Sequence, residues 1–420
     1  MQELLLGIDL CDDYSQISYF DAQTLSAENL GLTEEESSCM VPTVICKEKG
    51  KDSWFIGEEA YRCALYGKGT MVDKLVKLAG KKGTATIEGV KYTADDLLRI
   101  FVRQMLAIPV SRLGTDCFSS LVFVFQDKNS GMMDTIIRVT DELGIPRERV
   151  HMANHAEAYL FYVISQKKEL WINQSCLFDL SESGLHYYEL NVIRGRRPQV
   201  VEVQHEELEE GFSLEILETS AGKKLGDTIL SSCAERLLQK KVMTSVFLTG
   251  KGFEDCQWAA GFLRFVCTKR RVFSGTGLFA RGGAYMAYDF THEETSYPYV
   301  CLCEGRLRST ISMQVYHEGR ERQMILASAG SDWYEAKAAA SVILDHTNVL
   351  EFLVTPVGSG RQTRLQIQLD EFPARPNKTT KVEIIAAFLS DSKISIRVID
   401  RGFGEFFPSS GQVIRQDFQI

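Results

Sequence analysis

Two short stretches place an aspartate at the end of an apolar run, just before a turn: LGIDL (6–10), with Asp9, and LFDLS (177–181), with Asp179. A carboxylate at such a place can help order a cation and a phosphate-bearing ligand, or it can simply cap its own turn. A third apolar run, SVFLTG (245–250), leads into Gly250-Lys251-Gly252, where missing side chains let backbone N–H groups approach an anion. The neighbouring residues work against an anion: Cys11, Asp12 and Asp13 follow Asp9, and Glu182 follows Asp179. Asp12 and Asp13 read as solvent-exposed turn residues, with metal binding as the alternative. Acidic neighbours raise the pKa of the Cys11 thiol and reduce its reactivity. His155 has no Ser or Cys nucleophile tied to it by motif, so it reads as a partly buried polar residue at a helix start.

These residues need strands and helices to hold them. Two strands over 4–10 and 15–20 form a tight hairpin, and a further strand spans 41–48. Residues 54–57 lead into a helix over 58–66, and Thr93 with Asp96 three residues on marks another helix start. A strand over 120–125, a helix over 130–143, a strand over 151–154 and a helix over 156–165 follow. Residues 175–183 repeat the strand–Asp–turn scheme, helices occupy 212–240, and the small-residue helix 278–290 contains Gly282 and Gly283. Those two glycines read as close helix–sheet packing. From about residue 297 helical periods give way to short alternating runs such as STISMQVYHEG, VLEFLVTPV and KISIRVID. That texture predicts an antiparallel β-sandwich. The chain accordingly divides into a domain over 1–290, a polar linker over 291–298 and a sandwich domain over 299–420.

Composition narrows the function classes. The chain has 420 residues, 45% of them hydrophobic and 25% charged, with no low-complexity tract. The net charge of −9 argues against nucleic acid as a partner. The basic clusters Lys81 and Lys82, residues 194–197 and residues 269–271 are short, scattered and read as solvated. No apolar run approaches the roughly 18–20 residues needed to span a bilayer, and MQELLL lacks a basic leader region. A cytoplasmic protein without a membrane partner is expected. Eleven cysteines at irregular spacings, including Cys301 and Cys303, show neither a C-x-x-C pair nor a His/Cys cluster, so reduced thiols are expected.

Two strand–Asp–turn units about 170 residues apart, with a third strand ending in a glycine turn, resemble the actin-like ATPase superfamily. FIGEEAYRCAL (55–65), IEGVKYTADDLL (87–98) and the stretch over 119–163 are similar to segments of the DnaK-type, seventy-kilodalton heat-shock chaperones. LDEFPARPNKTTKVEIIAAFLSDSKISIRVIDRGFG (369–404) resembles that family's substrate-binding sandwich, with Asp391, Ile394, Ile396, Val398, Asp400 and Gly402 at the expected places. The resemblance implies an α/β actin-like (ribonuclease H-like) domain of two lobes, about 1–170 and 171–290, followed by the antiparallel β-sandwich. It also implies nucleotide contacts at Asp9, Asp179, Gly184, Gly250, Gly252, Gly282 and Gly283.

The departures from that family decide the expected chemistry. Its first loop is D-L-G-T-T, where this chain has Cys11, Asp12 and Asp13. Its second is D-L-G-G-G-T, where this chain has Ser181, Glu182 and Ser183 before Gly184. The glutamate of its N-E-P-T motif becomes His155, and its G-G-S-T-R turn loses the arginine and carries Glu254. Lys74 and Lys77 both lie out of register with its phosphate-contacting lysine. A triphosphate brings about four negative charges, and each close like-charge pair costs ~1 kcal/mol in bulk water or ~4 at an effective dielectric near 20. Each lost hydrogen bond to a charged group forfeits ~1.5–3 kcal/mol, against the roughly 8 kcal/mol of a micromolar binder. A divalent ion held by Asp9 and Asp179 would offset part of this, which leaves weak Mg-ATP or Mg-ADP binding open. Otherwise no cofactor is expected.

The expectation is a degenerate DnaK-like chaperone or pseudo-chaperone without ATP hydrolysis. Its sandwich would hold an extended peptide or a protein partner through loops between residues 305 and 350, where Trp333 and Tyr334 offer apolar surface. The family's helical lid has no counterpart in the sixteen residues after Gly404, so bound peptide is expected to exchange quickly. The alternatives are an active but unconventional ATP-dependent chaperone and an actin-like scaffold or filament protein.

Overall fold

The strand Leu4–Asp9 is buried along its whole length, as a central strand covered on both faces must be. It pairs antiparallel with Tyr14–Asp21, placing Ile8 opposite Ile17, and parallel with Phe118–Phe125 on its other side. The computed structural model describes residues 3–31, 39–128, 130–195, 198–358 and 361–420, which fall into two units, Met1–Tyr299 and Val300–Ile420. In the first unit, one sheet runs Val150–Asn154, Phe118–Phe125, Leu4–Asp9, Tyr14–Asp21, Ser26–Leu30.

A second sheet in the same unit repeats this scheme. Gln174–Ser181 pairs antiparallel with Gly184–Ile193 and parallel with Met243–Thr249. Gln199–Glu207 and Arg271–Ser274 extend the two sides. Strand order and directions therefore match between the halves, and Asp9 and Asp179 occupy the same place, the carboxyl end of the central strand. In open α/β sheets that is the edge where a ligand crevice forms.

Helices Ala94–Leu113, Ser130–Glu142 and His155–Ile164 belong to the first half. Thr93 and Asp96 close a reciprocal capping box at the first of them. The helix Leu278–Asp289 seats directly on the strand Leu4–Asp9 and on helix His155–Ile164. A Cβ on Gly7 would fall 2.0 Å from the Ala280 carbonyl oxygen, and one on Gly282 would fall 2.0 Å from that of Ala158. Only bare backbone permits this approach. Where one strand over 41–48 was expected, the chain forms Val41–Pro42 and Ile45–Glu48. At the break between them the Thr43 and Ser15 hydroxyls share a hydrogen bond.

The second unit holds two four-stranded antiparallel sheets. One runs Arg320–Ala327, Ser309–His317, Val349–Pro356, Thr363–Gln368; the other Lys337–Ile343, Lys381–Ser390, Lys393–Gly402, Val413–Gln419. Inward residues of both, among them Ile311, Phe352 and Ile367 from one and Val382, Ile384 and Ile396 from the other, meet in one core. Under the last loop, Arg375 and the fully buried Asp400 form a two-pronged ion pair with both N–O distances 2.7 Å. All eleven cysteines are free thiols, and among the described residues no helix is long and apolar enough to cross a membrane.

Candidate functional site

The two central strands deliver Asp9 and Asp179 to one cavity of about 520 Å³, lined also by Cys11, Asp12, Asp13, His155, Glu182 and Gly250. Asn154 and Glu157 close a capping box that starts helix His155–Ile164 and sets His155 in its first turn. Beneath it, Lys128 and Glu157 form an almost wholly buried ion pair at 3.1 Å. The His155 ring lies flat on Phe279, with centroids 3.7 Å apart and planes 4° from parallel. Phe279 arrives on the small-residue helix, so the glycine packing of that helix also positions the imidazole.

From this seat His155 Nε2 reaches Asp9 Oδ1 at 2.9 Å, and Cys11 Sγ lies 3.7 Å from the same nitrogen and 3.5 Å from the same oxygen. Asp9 and His155 are both only 4% exposed. Burial acts to lower the His155 pKa, but the charge of Asp9 and the hydrogen bond to it outweigh burial, with help from Asp179 and Asp127, and raise it. Burial pushes Asp179 up to about 7, opposed by His155 and reinforced by Asp9 and Asp13. Burial, then Asp9, Asp13 and Asp179, raise the Cys11 thiol well above its ordinary value. The sequence reading of no His/Cys cluster is overturned here, because folding brings the donor atoms of Asp9, Cys11 and His155 within 4.8 Å of one another.

Asp12 and Asp13 lie in the turn as expected, but half-buried and with their carboxylates engaged. Asp12 Oδ1 accepts the backbone N–H of Lys77 at 2.8 Å, fixing the first turn of helix Leu75–Gly80. Asp13 Oδ1 accepts from Tyr14 N–H at 2.8 Å, and its Oδ2 accepts from Glu182 N–H at 3.3 Å. One carboxylate thus joins the turns of the two hairpins. Lys74, Lys77 and Lys81 line the cavity from the adjoining helix; all three are exposed, Lys81 at the helix end as expected. Arg196 and Arg197 of the cluster over 194–197 lie outside the described residues.

Several expected nucleotide contacts do not line this cavity. Gly282 and Gly283 pack against Ala158 and against Gly7 with Val124. Gly252 sits against the side chains of Leu180 and Leu214, and Gly184 closes the second hairpin at φ +130°. Glu254 pairs with Lys251, which also lies 5.2 Å from the ring centre of Tyr14. Gly250 does line it, at φ +92°, where a Cβ would fall 2.4 Å from Asp179 Oδ1. In the second unit Trp333 packs against the core and Tyr334 meets it edge-on, so this pair is not a free apolar surface.

Sequence reading missed a polar chain beside the cavity. His186, opposite Asp179 in the hairpin register, has Nε2 3.1 Å from both the Gln126 side chain and Ser183 Oγ, and Nδ1 3.1 Å from His205 Nε2. Burial and the neighbouring histidines lower its pKa to about 4. Tyr188, two residues on and therefore on the same strand face, stacks on His205. Among the described residues the buried Tyr188 hydroxyl has no hydrogen-bond partner. The alternation HYYEL was the available signal for this face.

Residues 26–304 match the model of a family of unknown function, the DUF5716 C-terminal family, and residues 306–420 match a domain of unknown function, DUF8552. No curated protein matches the chain.

Proposed function

The chain belongs to the DUF5716 family, and we propose that it is a DnaK-like protein of actin-like architecture that binds an extended polypeptide or a protein partner and has lost ATP hydrolysis. The observation that carries the loss is the Asp13 carboxylate between the two hairpin turns. In the proposed architecture those turns present N–H groups to phosphate oxygens; here a side-chain anion takes them. A phosphate entering would break these contacts and meet Asp9, Asp13 and Asp179 at close range. The repeated strand order of the two halves, with an acid near the carboxyl end of each central strand, supports the actin-like reading.

Partner binding is assigned to the second unit. Arg320–Ala327 ends its sheet, and an edge strand can accept an extended peptide by backbone hydrogen bonds. Exposed Ile325 on that strand and Tyr316 on its neighbour replace Trp333 and Tyr334 as the apolar contacts of this proposal. The reading places the protein in the cytoplasm, with neither nucleic acid nor membrane as partner.

A second reading is favoured by Lys74, Lys77 and Lys81, which line the same cavity and supply positive charge that a working nucleotide site needs. Phosphate release by the full chain with millimolar Mg-ATP, measured beside anisotropy of a labelled apolar peptide, separates the two. The proposed function predicts peptide binding that ATP leaves unchanged and no release above the buffer rate. Catalytic release, or no peptide binding at all, overturns it.

A further inference from the structure

We infer that Asp9, Cys11 and His155 form a binding site for a thiophilic divalent transition metal, zinc being the ion that fits best, on the floor of this cavity. The distances carry the proposal. Zinc bonds of ~2.3 Å to sulfur and ~2.0–2.1 Å to nitrogen and oxygen, arranged tetrahedrally, hold sulfur ~3.6 Å from the other two donors and nitrogen ~3.3 Å from oxygen. In the protein the two sulfur distances are 3.7 and 3.5 Å and the nitrogen–oxygen distance is 2.9 Å. An ion therefore fits once His155 and Asp9 part by a few tenths of an ångström.

The donor types agree with the distances. Thiolate with imidazole selects zinc and its soft neighbours, whereas magnesium and calcium take oxygen ligands. The imidazole is already aimed, because the Asn154 capping box fixes its place on the helix and the Phe279 stack fixes its plane. Preset orientation of this kind is what metal sites obtain from surrounding contacts.

An unpartnered polar group stands on the other side of the ring that positions His155. Among the described residues the buried Tyr188 hydroxyl has no partner, a state that native proteins seldom leave unexplained. Its ring meets Phe279, the residue stacked on His155.

This inference does not depend on the second unit or on the absence of ATP hydrolysis. The full chain, stripped with chelator, is titrated with Co²⁺ and then with Zn²⁺. The expected result is a thiolate-to-cobalt charge-transfer band that saturates at one ion per chain and is displaced by zinc. Cys11→Ser abolishes the band, His155→Asn weakens binding about tenfold or more, and Cys267→Ser, which removes an exposed thiol, leaves it unchanged. Without any substitution, Zn²⁺ should protect Cys11, located by peptide mass spectrometry, from alkylation. No thiolate band in the folded protein, a band that survives in folded Cys11→Ser, or alkylation of Cys11 indifferent to Zn²⁺ overturns the site. Adding Mg-ATP to the cobalt form keeps the two readings apart, since phosphate release with an intact band would sink the functional reading alone.

Discussion

His155 Nε2 lies 2.9 Å from Asp9 Oδ1, joining the first turn of one helix to the end of a strand 146 residues earlier in the chain. Both groups are buried, so each depends on the other for compensation of its charge. The contact also ties the central strand of the first sheet to the helix that follows its outermost parallel strand, at the point where the two halves of the unit face their shared cavity.

Removing one partner leaves the other buried and uncompensated. Asp9→Asn or His155→Gln is expected to cost ~3–5 kcal/mol in chelator-treated protein. The double variant should cost clearly less than the sum. Urea unfolding of the four proteins checks this; additive losses would show that the two side chains are not coupled.

The cavity sets a pH dependence with a definite sign in the metal-free protein. The His155 pKa is raised, so its contribution is complete below its unfolded value of ~6.5 and is lost as pH rises through the folded value. Asp179 is raised to about 7, so the folded chain keeps a proton that the unfolded chain releases near pH ~3.9. Its contribution therefore falls between those two values and stays unfavourable above about pH 7. Asp179→Asn should leave stability unchanged at low pH and raise it at pH ~8 by an amount on the order of a few kcal/mol. Urea midpoints across this range test it, and a variant less stable than the parent at pH ~8 would contradict it.

The second unit shows the opposite sign. Arg375, and then the N–H and hydroxyl of Ser410 with the N–H of Gly402, hold the Asp400 carboxyl far below its usual range despite burial. Its stabilisation is complete above its unfolded value of ~3.9 and is lost as pH falls through the folded value. Asp400→Asn is expected to cost ~3–5 kcal/mol near neutrality, and the loss should shrink only in strong acid. Thermal unfolding of the variant from neutral to acid pH provides the check.

Glycines separate packing from ligand roles. Gly282→Ala inserts a methyl 2.0 Å from a backbone oxygen and should cost ~1–3 kcal/mol or more, as overpacking does. Gly250→Ala adds strain at φ +92° and presses on Asp179. It should both destabilise the protein and disturb the titration of that acid, which Gly282→Ala leaves alone. Carboxylate titration followed by infrared absorption distinguishes the two variants.

Much of the frame was legible because local pattern decides it. The hairpin of Leu4–Asp9 and Tyr14–Asp21, the Thr93–Asp96 box and the helix start at His155 all depend on residues within a few positions of one another. The site was less so. Cys11 and His155 are 144 residues apart, and no spacing rule brings such donors together. Asp12 and Asp13 look like ordinary turn residues until Lys77 and Glu182 arrive from distant segments. Trp333 looked like surface because its alternating neighbourhood does not reveal which sheet its ring will cover.

The Asp13 carboxylate occupies N–H groups of both hairpin turns, and on the proposed function it excludes a phosphate there. Calorimetric titration of the full chain with Mg-ATP and Mg-ADP, run beside the triple variant Cys11→Gly, Asp12→Thr, Asp13→Thr, tests it most directly. The unsubstituted protein is expected to give no measurable heat of binding, and the variant a gain of affinity. Micromolar or tighter binding by the unsubstituted protein, undiminished relative to the variant, would contradict it.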